Sequence, residues 1–125
     1  MRLALDTDTQ ILTVRRYGAG EIEVAGQVLR APCIISPARL ITDWAASSAA
    51  ELDEAAIAPL LALHPAVLLI GSDAPGALGA HASSALRRSV ESRGVSLELM
   101  GLGAACRTYN VLAQERREVV AGLFP

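Results

Sequence analysis

The chain has 125 residues, a formal net charge of −2 and an isoelectric point near 5.6, which suits one domain with one proper core. Apolar residues make up 52 % but aromatics only 3 %, and alanine supplies 23 positions, so bulky core side chains are scarcer than the apolar fraction suggests. Every cation is an arginine, which excludes a Schiff-base lysine, a lysine base and a P-loop lysine.

Residues 1–10 read as a loosely ordered lead-in, and 11–125 as a single α/β domain. Ile11–Tyr17 and Glu21–Val24 are predicted strands around Gly18-Ala19-Gly20; Glu21 and Glu23 alternate with Ile22 and Val24. A turn at Gly26-Gln27 leads to a strand over Val28–Arg30, and Cys33-Ile34-Ile35 forms another between Pro32 and Pro37. Leu40–Trp44 continues extended into a loop. Ser48-Ala49-Ala50-Glu51 has capping-box spacing, opening a helix that Pro59 should end or kink. Ala66–Ile70 is a continuous apolar run, the pattern of a strand covered on both faces. A helix near 80–92 closes at Gly94, Val95–Met100 is the next strand, and Ala104 to about Arg116 the next helix. Val119–Phe124 is a last strand or tail. Alternating strand and helix after an opening antiparallel β section predicts a central mixed sheet with helices packed on it. Val67–Ile70 and Val95–Leu99 are expected to run parallel, near each other, with the 80–92 helix crossing between them.

Few motifs carry chemistry. The near-neutral charge, with basic residues only in pairs or alone and no aromatics interleaved, argues against a nucleic-acid partner. The most apolar stretch, Ala55 to Ile70, is interrupted by Pro59, His64 and Pro65 and is too short to span a membrane. The N-terminal residues lack a signal-peptide pattern, so a cytoplasmic protein is expected. Gly101-Leu102-Gly103-Ala104-Ala105-Cys106 mimics a dinucleotide fingerprint but puts Cys106 at the third glycine position. Gly71 to Gly76 has Walker-like glycine spacing with Ala77 where the lysine belongs. Ser72 or Cys106 beside His64 or His81 could be a nucleophile, but no elbow motif surrounds Ser72. No metal-ligand spacing and no cofactor motif is present. What remains is placement: Gly71-Ser72-Asp73 and Gly101–Gly103 end predicted parallel strands, where open sheets form ligand crevices. The second loop also offers free amides to an anion. Arg107, Asn110, Gln114 and Arg117 recur along one side of the last helix, opposite Cys106, Tyr109 and Ala113.

The run Ala104-Ala105-Cys106-Arg107-Thr108-Tyr109-Asn110-Val111-Leu112, preceded by Glu98-Leu99-Met100, is distinctive. So are Val67-Leu68-Leu69-Ile70-Gly71-Ser72 and Ile41-Thr42-Asp43-Trp44. Across residues 11 to 124 the chain resembles the small α/β family that includes the mitochondrial respiratory complex I assembly factor 3 and the adipogenesis-associated Mth-type domain proteins. That resemblance implies a three-layer fold around a mixed sheet of about five strands. It implies no established enzymatic activity, and an assembly or protein-binding role for some members. The chain departs from the family pattern twice. Gly101-Leu102 follows Met100 where an Asp-Thr-like pair is usual, and Asp73-Ala74-Pro75 follows Ser72 where a second glycine and basic residues are usual.

The leading expectation is a non-enzymatic partner-binding module without cofactor or metal, acting on another protein, including a respiratory or membrane complex under assembly. The rival is a small-molecule or anion-binding protein with a strand-end crevice, extending to a weak hydrolase. Candidate contacts are Gly71, Ser72, Asp73, Gly101, Gly103, Arg107, Asn110 and Gln114. Trp44 should be covered and both cysteines unbridged. Arg107, placed in the first turn of its helix against the macrodipole, should clamp onto Asp73, Glu98 or the Gly71–Asp73 carbonyls.

Overall fold

Two Ala-Gly turns set the first part of the structure, a computed structural model describing residues 11–74 and 80–125, with 80–83 described as backbone only. Ala19 and Gly20 (φ 55° and 79°) and Ala25 and Gly26 (φ 52° and 80°) are both left-handed pairs, the geometry of two-residue hairpins. They fold β1 (Val14–Gly18), β2 (Glu21–Val24) and β3 (Gln27–Leu29) into a three-stranded antiparallel sheet. Val14, Ile22, Val24 and Leu29 are buried on its inner face. The predicted start of β1 at Ile11 moves to Val14. The expected lead-in at 1–10 and the glycines from Gly76 lie outside the described residues.

The main sheet has five strands in the order β5-β4-β8-β6-β7. They are β4 (Cys33–Ile35), β5 (Leu40–Ile41), β6 (Val67–Ser72), β7 (Ser96–Met100) and β8 (Val119–Phe124). β6 is parallel to both β7 and β8, while β4 is antiparallel to β8 and β5. The expected parallel pair is therefore found, in direct contact, with Leu68 opposite Leu97. The segment read as a strand or tail is the central strand. All six residues of β8 are buried because neighbours cover both edges and other layers cover both faces. β6 runs two residues further than expected: Gly71 and Ser72 pair with Leu123 and Phe124 and belong to the strand, not to a loop.

Three helices complete the layers: α1 (Glu54–Leu61), α2 (Ala80–Glu91) and α3 (Leu102–Gln114). On one face Leu69, Ala121 and Leu123 pack under Ala105, Cys106, Tyr109 and Ala113 of α3, with the three-stranded sheet alongside. On the other, Leu68, Ile70 and Phe124 meet Ile57 and Leu60 of α1, Leu86 and Val90 of α2, and Trp44. Trp44 is covered as expected; its Nε1 donates to Ala56 O at 2.8 Å.

Helix boundaries differ in three places, each for a local reason. Residues 48–51 make a 3₁₀ turn (Ala49–Glu51) rather than a capping box, and Ser47 Oγ donates to Glu51 Oε1 instead. The helix begins after Asp53, whose Oδ1 accepts from Ala56 N at 2.8 Å. Pro59 sits inside α1 without ending it, because burial of Ile57 and Leu60 holds the short helix on the sheet. α3 starts at Leu102, two residues early, and stops at Gln114 because Arg116 turns left-handed (φ 61°).

Candidate functional site

The helix after β6 packs on one face of the sheet and the helix after β7 on the other. Adjacent strand ends that lead to opposite faces leave a crevice between their loops. Here it is a cleft of about 540 Å³, lined by Ser72 and Asp73 after β6, Leu102 at the start of α3 and Phe124 at the end of β8. The β1–β2 turn, Arg30, Ser48 and Ala49 line it as well. Ser72 is 5 % exposed and its Oγ accepts from Ala74 N at 3.2 Å.

The structure separates the eight sequence candidates into three groups. Ser72, Asp73 and Gly101 stand at the strand-end crevice. The anion expected at the start of α3 is supplied by the chain itself: Leu102 N donates to Asp73 Oδ1 at 3.0 Å. Gly101 has no side chain to cap the helix, and a Cβ there would lie 2.9 Å from that carboxylate oxygen. The two departures from the family pattern are thus complementary, since Asp73 provides from the neighbouring loop the carboxylate that position 101 lacks. Such a cap contributes about 1 kcal/mol.

Gly71 is buried and Asn110 half-buried, each holding layers together. A Cβ on Gly71 would come within 2.4 Å of Ala105 Cβ, so this glycine lets α3 lie directly on β6. The Asn110 amide joins the edge of β1, accepting from Val14 N at 2.8 Å and donating to Val14 O at 2.9 Å. Tyr109, fully buried beside it, donates its hydroxyl hydrogen to Leu12 O at 2.8 Å. Much of the distinctive run is therefore a seam tying β1 to α3.

Gly103, Arg107 and Gln114 line the open side of α3, with Val111 between them. The expected clamp from Arg107 to Asp73, Glu98 or the Gly71–Asp73 carbonyls does not form. Arg107 lies in the second turn of α3, past the strongest part of the dipole, and reaches the other way. Its Nη1 donates to Tyr17 Oη at 2.5 Å, and the guanidinium carbon sits 5.8 Å from the Tyr17 ring centroid. A Cβ on Gly103 would fall 2.8 Å from Tyr17 Cε1, so the glycine gives the ring its seat. Tyr17 is 42 % exposed and Val111 53 %. The sequence reading omits Tyr17, and nothing local could reveal it, because the two partners are 90 residues apart.

Among the described residues the nucleophile candidates do not assemble. His64 is exposed just ahead of β6, at the end of the strand opposite Ser72, and the His81 side chain lies outside the described residues. Cys33 and Cys106 are free and buried, as expected. Burial, then the neighbouring Cys106, pushes the Cys33 thiol up to about 12; burial raises Cys106 to about 11, against a lowering by Arg107. No group of three or more His, Cys, Asp or Glu able to hold a metal ion occurs among the described residues. Both thiols should resist maleimide at neutral pH in the folded protein and react in denaturant. Because the folded pKa values are raised, this contribution to stability is complete below pH about 9 and is lost as pH rises toward 11–12. The alkaline limb of a stability–pH profile should be shallower in Cys33→Ala; an unchanged slope would refute the assignment.

With this geometry in place, residues 14–124 match the family model described as a protein of unknown function (DUF498/DUF598). The chain belongs to the DUF498/DUF598 family. An uncharacterized protein of Rhodobacter capsulatus is 35 % identical over 114 residues, covering 91 % of this chain and 85 % of that protein. The zebrafish (Danio rerio) NADH dehydrogenase (ubiquinone) 1 alpha subcomplex assembly factor 3 is 24 % identical over 111 residues, which are 87 % of this chain. The chain spans only 62 % of that relative's length. The solution structure of a Bordetella pertussis protein, described as a Mth938-like domain, matches with TM-score 0.72 and 25 % identity over 100 % of this chain and 92 % of that one. The resemblance read from the ACRTYN run is thus correct at the level of family and fold. No helix among the described residues is long and apolar enough to cross a membrane.

Proposed function

We propose that this DUF498/DUF598 chain is a non-enzymatic, cytoplasmic partner-binding module of the assembly-factor kind, which meets another protein through the open side of α3. The observation that carries the reading is the exposed Arg107–Tyr17 pair beside Val111. Arginine and tyrosine are the residue types that dominate binding energy at interfaces, and an exposed apolar neighbour adds area. One guanidinium hydrogen goes to Tyr17; the remaining donors suit a partner's carboxylate or backbone carbonyls. Gly103 and Gln114 extend the same stripe. The zebrafish relative's name, an NADH dehydrogenase (ubiquinone) 1 alpha subcomplex assembly factor, supports the choice of partner class, a protein complex under assembly.

The test is a photo-crosslinking residue placed at Gln114 in the native host, with one at Glu54 on the far face as control. A discrete adduct from 114 alone, lost in Arg107→Ala, is the expected result. Truncating a central contact of this kind weakens binding by about 2 kcal/mol, roughly thirtyfold. Arg107→Lys should recover little, because it lacks the planar fork. Stability should barely change, since the pair is exposed. Equal crosslinking from both faces, or an adduct indifferent to Arg107, would exclude this surface.

A further inference from the structure

We propose that the strand-end cleft is a second, independent site, and that it takes an apolar amino-acid zwitterion, free or as a short peptide. Size comes first: about 540 Å³ is within the range of small-ligand pockets. The charges that line it come next. Arg30 and Asp73 both line it. Arg30 Nη2 pairs with Glu21 Oε1 at 3.0 Å in an exposed bridge, which leaves its other donors for a ligand. Asp73 uses Oδ1 on Leu102 N, and no described residue holds its Oδ2.

An anion would be attracted by Arg30 but repelled by Asp73 and Glu21, and a cation would meet the reverse. A molecule with both charges satisfies both side chains at once. Between them Ser48 presents a hydroxyl that makes no capping bond, and no described residue accepts from the O–H of the buried Ser72. Each can serve the ligand's polar backbone. Leu102 and Phe124 supply the apolar surface against which a hydrocarbon side chain would lie. This site does not depend on the α3 partner surface: none of Gly103, Arg107, Val111 or Gln114 lines it.

Titration of the amide NMR spectrum tests the idea with four probes: leucine, leucyl-leucine, isocaproate (leucine without its amine) and isoamylamine (leucine without its carboxylate). The expected result is saturable movement of the Ser72, Leu102 and Phe124 amides with leucine or leucyl-leucine, whichever spans the two charges. The half-ligands should bind at least about tenfold more weakly, the value of one charge-assisted contact. Arg30→Gln and Asp73→Asn should each lose about tenfold or more. The asparagine keeps an oxygen for Leu102 N, and Arg30 is exposed, so both variants should fold, which their own spectra report. The proposal is overturned if neither zwitterion moves these amides, if a half-ligand binds as well, or if both variants bind undiminished.

Discussion

Trp44→Ala is expected to destabilise the domain by about 4 kcal/mol, the middle of the range for removing a large buried aromatic. Trp44 is 8 % exposed and is the sole tryptophan in a chain with 3 % aromatics. Its ring packs at 5.1 Å from that of Phe124 at the end of the central strand. It also lies over Gly122, where a Cβ would come within 2.7 Å of the indole, so the strand has been hollowed out to receive it. Its N–H holds the carbonyl of Ala56, fastening α1 to the loop. Alanine removes all three contacts and opens a cavity between two elements that share little other aromatic material. Against a total of about 5–15 kcal/mol, chemical denaturation should show a large fall in midpoint. Trp44→Phe keeps ring contact but loses the bond to Ala56 O, and should lose about 1 kcal/mol. A loss below about 1 kcal/mol for the alanine variant would mean that the loop is not anchored this way.

Asn110→Ala should lower stability by about 3 kcal/mol, although the residue looks like part of a solvated helix face. Its amide satisfies both the N–H and the C=O of Val14, and Val14 is buried. Truncation leaves both backbone groups without partners, at about 1–3 kcal/mol each. Asn110→Asp should be no better: it keeps an acceptor for Val14 N but sets a carboxylate oxygen against Val14 O. Native-state hydrogen exchange offers the local check, because amides of β1 should lose protection before those of β8. If Asn110→Ala proves neutral while binding to the partner falls, Asn110 would instead be a contact residue, as its sequence position suggests.

Alternation in Glu21–Val24 and the apolar run from Val67 marked strands, since side-chain period follows directly from backbone geometry. The spacing of Ser48 and Glu51 points to a cap at Ser48, whereas α1 begins after Asp53. Only the burial of Leu52 in an extended conformation between Ser48 and Asp53 decides for Asp53. At the candidate site, the sequence places Gly71, Gly101 and Gly103 at strand-end turns, and the structure adds that each makes room for a particular neighbour: Ala105, Asp73 and Tyr17.

Composition, periodicity and the ACRTYN run by themselves determined a single α/β domain, its parallel β6–β7 pair, the buried thiols, the covered tryptophan and the family. These are consequences of local pattern or of one long contiguous motif. Only the tertiary structure decided that Val119–Phe124 is the central strand, that Asp73 caps α3 and that Arg107 turns to Tyr17. Those contacts join residues 29 to 90 positions apart, or depend on the order in which strands assemble. A hydrogen bond or a ring contact needs two groups within a few ångströms, and a linear sequence carries that distance only where the partners are near neighbours along the chain.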